Sequence, residues 1–541
     1  MIDHPGFVPR ALPEISGDDP LGMAPVNERL YGSVFPGINN VVQYIRVYSA
    51  LCWMLVRIDD YLQSHKLKQL EAKLVHQQAL EKIQNLLTWS NIGLGVGGMA
   101  GATRNFPAEK RKVPLLFETF GPNRASYLDS VQYRPSLTTG LGFLEVRDHL
   151  MFGCLPAGKA LAGAFDESAQ AHPDYKWLAN VTDLEATPAK VAKFHNILDL
   201  KEPSEAERSV FLAQYFPLVP PNDYNSPQAH RRASLILVLR VIAACKRESI
   251  SASESLIRAS MARGASPEGA LLNLTDVNLE QKWWAVLQLR QLQRLAFDTL
   301  EAILERWLDI CVHQSLPKNR SIAAICADFE EHISDYLGDD GAKPLSYHLD
   351  KVARLQGKFP TLYLAGLKKA RTNIFEIIDD LLATDLELEA GGEFPTLPKI
   401  FHALLVCVVE ARNLAKNQNA EEAVADGVGQ GSLLELSLSA TEFSKQPAGK
   451  WIAHLLRHWV INRHFEVVTI RSQNADGKNR FRFLIGDSGL QRFDMSLRPS
   501  LVGLAQDRLR HALLLLAQGG LIRPSKDGYV LTAQGRKRLA S

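Results

Sequence analysis

Basic side chains that could bind phosphate groups are concentrated in the region from Lys450 to the end of the chain. From Lys450 to the end there are 16 Lys and Arg against 6 Asp and Glu, whereas the rest of the chain has 45 against 53. Guanidinium and ammonium groups neutralise phosphates, so this split favours a polyanionic partner at the C-terminal end. The candidate nucleic-acid-binding residues are Arg508, Arg510, His511, Arg523, Lys526, Arg536, Lys537 and Arg538.

The local sequence indicates which elements must position these residues. Residues 504–518 predict an amphipathic helix, which the Gly519-Gly520 pair can end by adopting the left-handed conformation. Residues 521–522 and 529–531 are strand-like, and Lys526-Asp527-Gly528 between them is typical of a hairpin turn. The predicted order is therefore helix, strand, turn, strand and helix.

This order, together with the run from Leu515 to Leu539, resembles the C-terminal half of many bacterial winged-helix domains. The resemblance implies that the first three candidate residues begin a recognition helix, where base and phosphate contacts are made. The next two would line the wing, and the last three would neutralise phosphates. Winged helices also serve as protein-docking modules, so a partner protein is the alternative ligand.

Other motifs in the sequence favour structural roles over chemistry. Residues 153–159 fit GxxxxGK, but Ala160 replaces the Ser or Thr that binds Mg²⁺, and the preceding residues have a helical pattern. His454 and His458 have the spacing of zinc ligands on a helix but lack a third ligand. The sequence therefore predicts no catalytic residue, no metal site and no cofactor.

The composition predicts neither export nor a membrane span. The first 23 residues lack the charged start and apolar core of a secretory signal. The longest apolar run, residues 235–245, contains Arg240 and is far shorter than the roughly 20 residues needed to cross a bilayer. The six cysteines are scattered singly, as expected for reduced thiols in a cytoplasmic protein.

The whole chain predicts a mainly α, multi-domain helical body with a C-terminal α+β winged-helix domain. Apolar positions recur at helical spacing through the middle of the chain. Within the C-terminal domain, residues 465–470 and 480–485 predict a β-hairpin around an Asp476-Gly477 turn. The predicted boundaries are an N-terminal helical domain over 1–184, a central helical domain over 185–415, a glycine-rich linker over 416–432 and a basic winged-helix domain over 433–541.

The first 310 residues or so carry a second pattern. Phe35-Pro36-Gly37 precedes an aromatic-rich helix over residues 41–62 that contains Arg46, and a long charged helix and a glycine-containing loop follow. This pattern is similar to that of an uncharacterised bacterial family associated with mobile-element and anti-phage defence islands. The resemblance implies a role in defence and supplies no catalytic residues.

These features predict a non-catalytic nucleic-acid-binding subunit of a multi-component bacterial anti-phage defence system. DNA is the expected ligand, and a helicase, nuclease or ATPase is the expected protein partner that supplies the chemistry. One alternative is a winged-helix transcriptional regulator with a large sensing or dimerising body. Another is a nuclease with an unrecognised site.

Overall fold

Helices make up most of the described chain, as the sequence predicts. The computed structural model describes residues 19–117, 126–147, 151–313, 321–358, 374–383, 396–473, 481–493, 503–504 and 506–540. The helices are α1 Ala24–Val34, α2 Ile45–His65, α3 Gln69–Asn91, α4 Pro156–Ala169, α5 Tyr175–Ala179, α6 Pro188–Lys193, α7 His195–Leu198, α8 Glu205–Tyr215, α9 Pro227–Arg247, α10 Glu254–Arg263, α11 Asn278–His313, α12 Ile322–Leu337, α13 Leu345–Lys358, α14 Ile374–Leu382, α15 Leu397–Leu414, α16 Gln418–Ala425, α17 Leu433–Glu442, α18 Ala448–Leu455, α19 Arg463–Gln473, α20 Leu509–Gln518 and α21 Ala533–Ala540.

The described strands are short and pair only in antiparallel twos. The pairs are β1 Leu115–Leu116 with β4 Glu185–Ala186, β2 Leu144–Val146 with β3 Phe152–Cys154, β5 Phe483–Gly486 with β6 Gly489–Arg492, and β7 Ile522–Ser525 with β8 Gly528–Leu531. Two π-helical segments, Ser136–Gly140 and Leu456–Asn462, and two 3₁₀ turns, Lys110–Lys112 and Gly338–Asp340, complete the regular structure of these ranges.

The chain forms two compact units, and neither is one continuous segment. The tail unit comprises Tyr31–Arg258, Leu272–Glu280 and Gln506–Ser541. The long-helix unit comprises Met1–Leu30, Ala259–Leu271 and Gln281–Ala505. This grouping differs from the predicted domains, because the last residues of the chain belong with its N-terminal half and not with residues 433–505.

Helix α2 supplies much of the core of the tail unit. It packs against α3, α4 and α8, and all of its residues from 45 to 55 are buried. Tyr48 meets the rings of Tyr133 and Phe211 edge-on, with centroids 5.2 and 5.1 Å away. Arg231 of α9 is also buried, and its guanidinium donates hydrogen bonds to the backbone carbonyls of Pro36, Gly140, Gln214 and Tyr215.

The Phe35-Pro36-Gly37 sequence fits a close backbone contact in this unit. Gly37 has a φ of +78°, which favours glycine. A Cβ at this position would lie 2.7 Å from the carbonyl oxygen of Gly140. The hydroxyl of Ser136 donates to the Gly37 carbonyl at 2.6 Å. The glycine of this motif therefore has a packing role.

Helix α11 gives the long-helix unit a core that includes paired charges. The guanidinium of Arg492, on β6, lies 2.9 Å from a carboxylate oxygen of Glu305 and 3.2 Å from one of Asp309. The side chains of Arg492 and Glu305 are almost fully buried. Because a buried charge is tolerated when it is paired, this contact fixes the β5–β6 hairpin against α11.

Residues 416–432 are the stretch that the sequence predicts as a linker. They contain α16, which has a buried face, and a loop over residues 427–431 that we call the glycine loop. Arg290 and Gln293 of α11 each donate a hydrogen bond to the carbonyl of Gly431 at 3.1 Å. The small and glycine-rich composition therefore serves tight turns with positive φ at Gly427, Gly429 and Gly431.

The hairpin predicted around Asp476-Gly477 is wrong in its first strand. Residues 465–470 lie in α19, which continues from the π-helical segment Leu456–Asn462. Val460, His464 and Val467 are buried and lie three or four residues apart, which is the spacing of one helix face. The prediction considered residues 465–470 alone, and this short window does not show the helical spacing. The observed hairpin joins β5 to β6, and the predicted turn over residues 475–478 lies outside the described residues.

Candidate nucleic-acid interface

The helix, hairpin and helix predicted at the end of the chain are present. Helix α20 ends at Gln518, and Gly520 just after it has a φ of +74°. Strands β7 and β8 pair from Ile522↔Leu531 to Ser525↔Gly528, which places Lys526 and Asp527 in the turn. We call residues 506–540 the tail. A complete winged-helix domain remains a prediction.

The tail is packed into its unit and does not stand apart. The backbone N–H of Tyr529 donates to the carbonyl of Ala252 at 3.1 Å, and a Cβ on Gly528 would collide with that carbonyl. Asp507 is 3% exposed and pairs with Arg258 at 2.6 Å. The tail therefore takes part of its backbone pairing and a buried charge partner from the rest of the tail unit.

Helix α20 is a core helix, which bears on its predicted role in reading bases. Its buried residues are Leu509, His511, Ala512, Leu513, Leu515 and Leu516. Leu514, Ala517 and Gln518 are half-buried, and Arg510 alone is exposed among the ten residues of this helix. A recognition helix needs an exposed face of several side chains to enter a groove, and α20 does not offer one.

Three of the eight candidate residues are buried or half-buried, and among the other five Arg536 donates to the carbonyl of Leu531 at 3.1 Å. The ring Nδ1 of buried His511 hydrogen-bonds to the carbonyl of Val42 at 3.0 Å, and burial lowers the pKa of this imidazole. Arg508 has a left-handed backbone and lies over the Tyr31 ring, 5.9 Å from its centroid. Arg538 donates to the carbonyl of Phe216 and lies over its ring at 5.3 Å.

The other five candidate residues are exposed cations. Tail positions hold seven Lys and Arg but only two acids, and one of these acids, Asp507, is buried against Arg258. Asp527 is therefore the only exposed carboxylate of the tail. The exposed cations, which we call the tail cations, are Arg510 on α20, Arg523 on β7, Lys526 in the turn, and Arg536 and Lys537 on α21.

Two further basic residues were not singled out from the sequence. Lys246 and Arg247 are exposed at the end of α9, and the chain leads from them to Ala252, the partner of Tyr529. The basic last turn of a long helix was the available signal. The link to the tail could not be predicted, because it depends on a tertiary backbone pairing.

The GxxxxGK segment begins within a short strand, and the described residues before it include strand β2, which corrects the predicted helical pattern. Strand β3 pairs with β2 in an antiparallel hairpin and leads into α4, which has Pro156 at its start. Gly158 packs so closely on the carbonyl of Phe143 that a Cβ would collide with it, and Lys159 is exposed. The glycine is thus explained by packing, and the two-stranded hairpin lacks the parallel setting of a phosphate-binding loop.

The tail cations give the site its chemistry, because guanidinium and ammonium groups bind phosphate oxygens.

Across the described ranges, no three His, Cys, Asp or Glu side chains are placed to hold a metal ion. None of the helices in those ranges combines the length and apolar character that a bilayer span requires. Comparison of the chain with protein-family models, curated proteins and solved structures found no match.

Proposed function

We propose that this protein is a non-catalytic nucleic-acid-binding subunit that contacts the phosphate backbone through its tail. It acts within a multi-component bacterial anti-phage defence system, where a helicase, nuclease or ATPase partner supplies the chemistry. The defence setting comes from the family resemblance of the first 310 residues or so, and the binding role comes from the charge of the tail. DNA is the proposed ligand.

The observation that carries the binding role is the imbalance of exposed charge. Five exposed cations occupy the tail, and Asp527 is the only exposed acid beside them. Four of the five lie on the β7–β8 hairpin and α21, and the fifth is at the start of α20. Phosphate contacts of this kind position a protein on nucleic acid without reading its sequence.

The burial of α20 favours contact with the backbone over contact with base edges. Its one exposed residue, Arg510, is at the N-terminal end of the helix, and the leucines that follow are buried or half-buried in the tail unit. The hairpin and α21 are therefore the proposed contact elements. We expect little preference for sequence, since base readout requires side chains that reach into a groove.

A fluorescence-anisotropy titration of full-length protein against a labelled DNA duplex tests the binding role. Replacing Arg523, Lys526 and Lys537 with Ala should weaken binding by at least about tenfold, since three phosphate contacts are lost. The matched control replaces Lys416, Lys445 and Arg457, exposed cations of the long-helix unit, and should bind like the wild type. A wild-type protein without affinity for DNA or RNA would contradict the proposal.

The defence assembly is tested by affinity purification of the tagged chain from its native cell. A helicase, nuclease or ATPase subunit should co-purify in a stable complex that survives nuclease treatment, because the association is with protein. Recovery of the chain alone as a homo-oligomer would instead favour the transcriptional regulator.

A further inference from the structure

A cavity of about 350 Å³ lies in the long-helix unit. Cavities that bind small molecules in proteins typically measure about 300–1,000 Å³. Its wall is formed by the glycine loop, by α17, and by the π-helical segment with the start of α19. Such π-helical segments are rare and occur frequently at functional sites.

One wall of the cavity is aromatic. Trp459, in the π-helical segment, stacks on buried Phe297 of α11, with ring centroids 5.1 Å apart and planes 16° apart. A Cβ added to Gly431 would lie 3.4 Å from the Trp459 ring, so the backbone of the glycine loop lies close to the indole. Aromatic rings attract cations through their negative faces.

The remaining wall is mainly acidic. Three carboxylates line the cavity, those of Glu435, Glu442 and Glu466, and Arg463 is the only Lys or Arg that lines it. Glu435 already accepts hydrogen bonds from the backbone of Gly429 at 2.7 Å and of Ser432 at 2.8 Å. Glu442 and Glu466 are exposed, and neither forms an ion pair within the described part of the chain.

The single lining guanidinium is held by backbone groups. Arg463 donates to the carbonyl of Leu21 at 2.6 Å and to that of Gly429 at 3.2 Å. The imidazole of His458, which also lines the cavity, has a pKa lowered by partial burial and by the nearby charge of Arg457. Three carboxylates against one guanidinium leave the lining with a formal charge of −2.

The cavity carboxylates come from two separate elements, α17 and the start of α19, which suits an extended cation better than a point charge. No three acidic, His or Cys side chains of the described residues converge as ligands of one metal ion would. A chain with ammonium groups at both ends can pair with carboxylates of both elements, and its methylene groups can pack on an aromatic ring.

We propose that this cavity binds a small organic cation of the diamine or polyamine class. Its ammonium groups pair with Glu442, at the end of α17, and with Glu466, near the start of α19. Its methylene chain lies against Trp459 and Leu438. The cavity and the tail lie in different units, so this proposal rests on different residues from the proposed nucleic-acid interface.

Isothermal titration calorimetry of nucleic-acid-free, full-length protein with putrescine and with spermidine tests the proposal. Wild-type protein should bind at least one of them saturably at one site. The E442Q/E466Q double variant should bind at least about tenfold more weakly, because it loses both charge pairs. The control E421Q removes an exposed carboxylate of α16 that does not line the cavity and should bind like the wild type.

Three results would overturn the proposal. They are the absence of saturable binding by wild-type protein at millimolar amine, unchanged affinity in the double variant, and an equal loss in E421Q. Circular dichroism of each variant checks the fold, and the single variant E442Q gives a second measurement if the double variant is unstable. E442Q should retain part of the affinity, because one charge pair remains.

Discussion

Replacement of Glu207 with Ala is expected to lower the free energy of unfolding of the tail unit by about 3–5 kcal/mol. Glu207 is completely buried and lies 3.0 Å from the guanidinium of Arg46, which is also buried. Its carboxylate also accepts hydrogen bonds from the Ser49 hydroxyl and from the backbone of Ser204. The substitution leaves a buried guanidinium without its carboxylate, which costs more than the pair contributes.

Urea unfolding followed by circular dichroism measures this loss. The matched control is Glu205→Ala, two residues earlier in the first turn of α8, where the side chain is exposed. That variant should change the stability by less than about 0.5–1 kcal/mol, as expected of a surface substitution. Equal stability of the two variants would contradict the account of Glu207 as the essential partner of Arg46.

A fragment of residues 432–541 is expected to remain unfolded in isolation. It joins two incomplete parts, because residues 432–505 belong to the long-helix unit and residues 506–541 belong to the tail unit. The first part would lose the α11 carboxylates that pair with Arg492. The second would lose Arg258, the partner of Asp507, and the core that covers α20.

Circular dichroism and limited proteolysis of the purified fragment check this expectation. The fragment should unfold without a cooperative transition and should be digested faster than the same residues in the full-length protein, which serves as the control. A protease-resistant fragment with a cooperative thermal transition would contradict it. That result would favour the domain boundary at residues 416–432 that the sequence predicts.

The features predictable from sequence were those fixed by local chemistry. Lys526-Asp527-Gly528 marked the β7–β8 turn because glycine and aspartate suit tight turns. The glycine pair after Gln518 marked the end of α20 because glycine accepts the left-handed conformation. Helical periodicity likewise identified a mainly helical chain.

The features that were missed depend on contacts distant in sequence. The glycine loop has a linker-like composition, and its packing follows from hydrogen bonds donated by Arg290 and Gln293, more than 130 residues away. The burial of α20 was indicated by its own sequence, but the prediction of an amphipathic helix did not take this into account. Four consecutive leucines, Leu513 to Leu516, leave no polar face, which is typical of a helix buried on all sides.

The candidate interface was predictable in composition but not in geometry. Charge counting placed the basic residues at the end of the chain. It could not separate exposed Arg523 from Arg538, which donates to the Phe216 carbonyl, or from His511, which bonds to the Val42 carbonyl. The two residues of each contact are 322 and 469 positions apart in the sequence, respectively, so local patterns carry no information about these contacts.

The salt dependence of duplex binding tests the central claim, contact between the tail cations and phosphates, most directly. For full-length wild-type protein, the logarithm of the binding constant should fall linearly with the logarithm of salt concentration. Replacing all five tail cations with Ala should make this slope shallower by about 4.5, at roughly 0.9 per phosphate contact on duplex DNA. An unchanged slope in the five-residue variant, or a wild-type affinity that does not respond to salt, would contradict the claim.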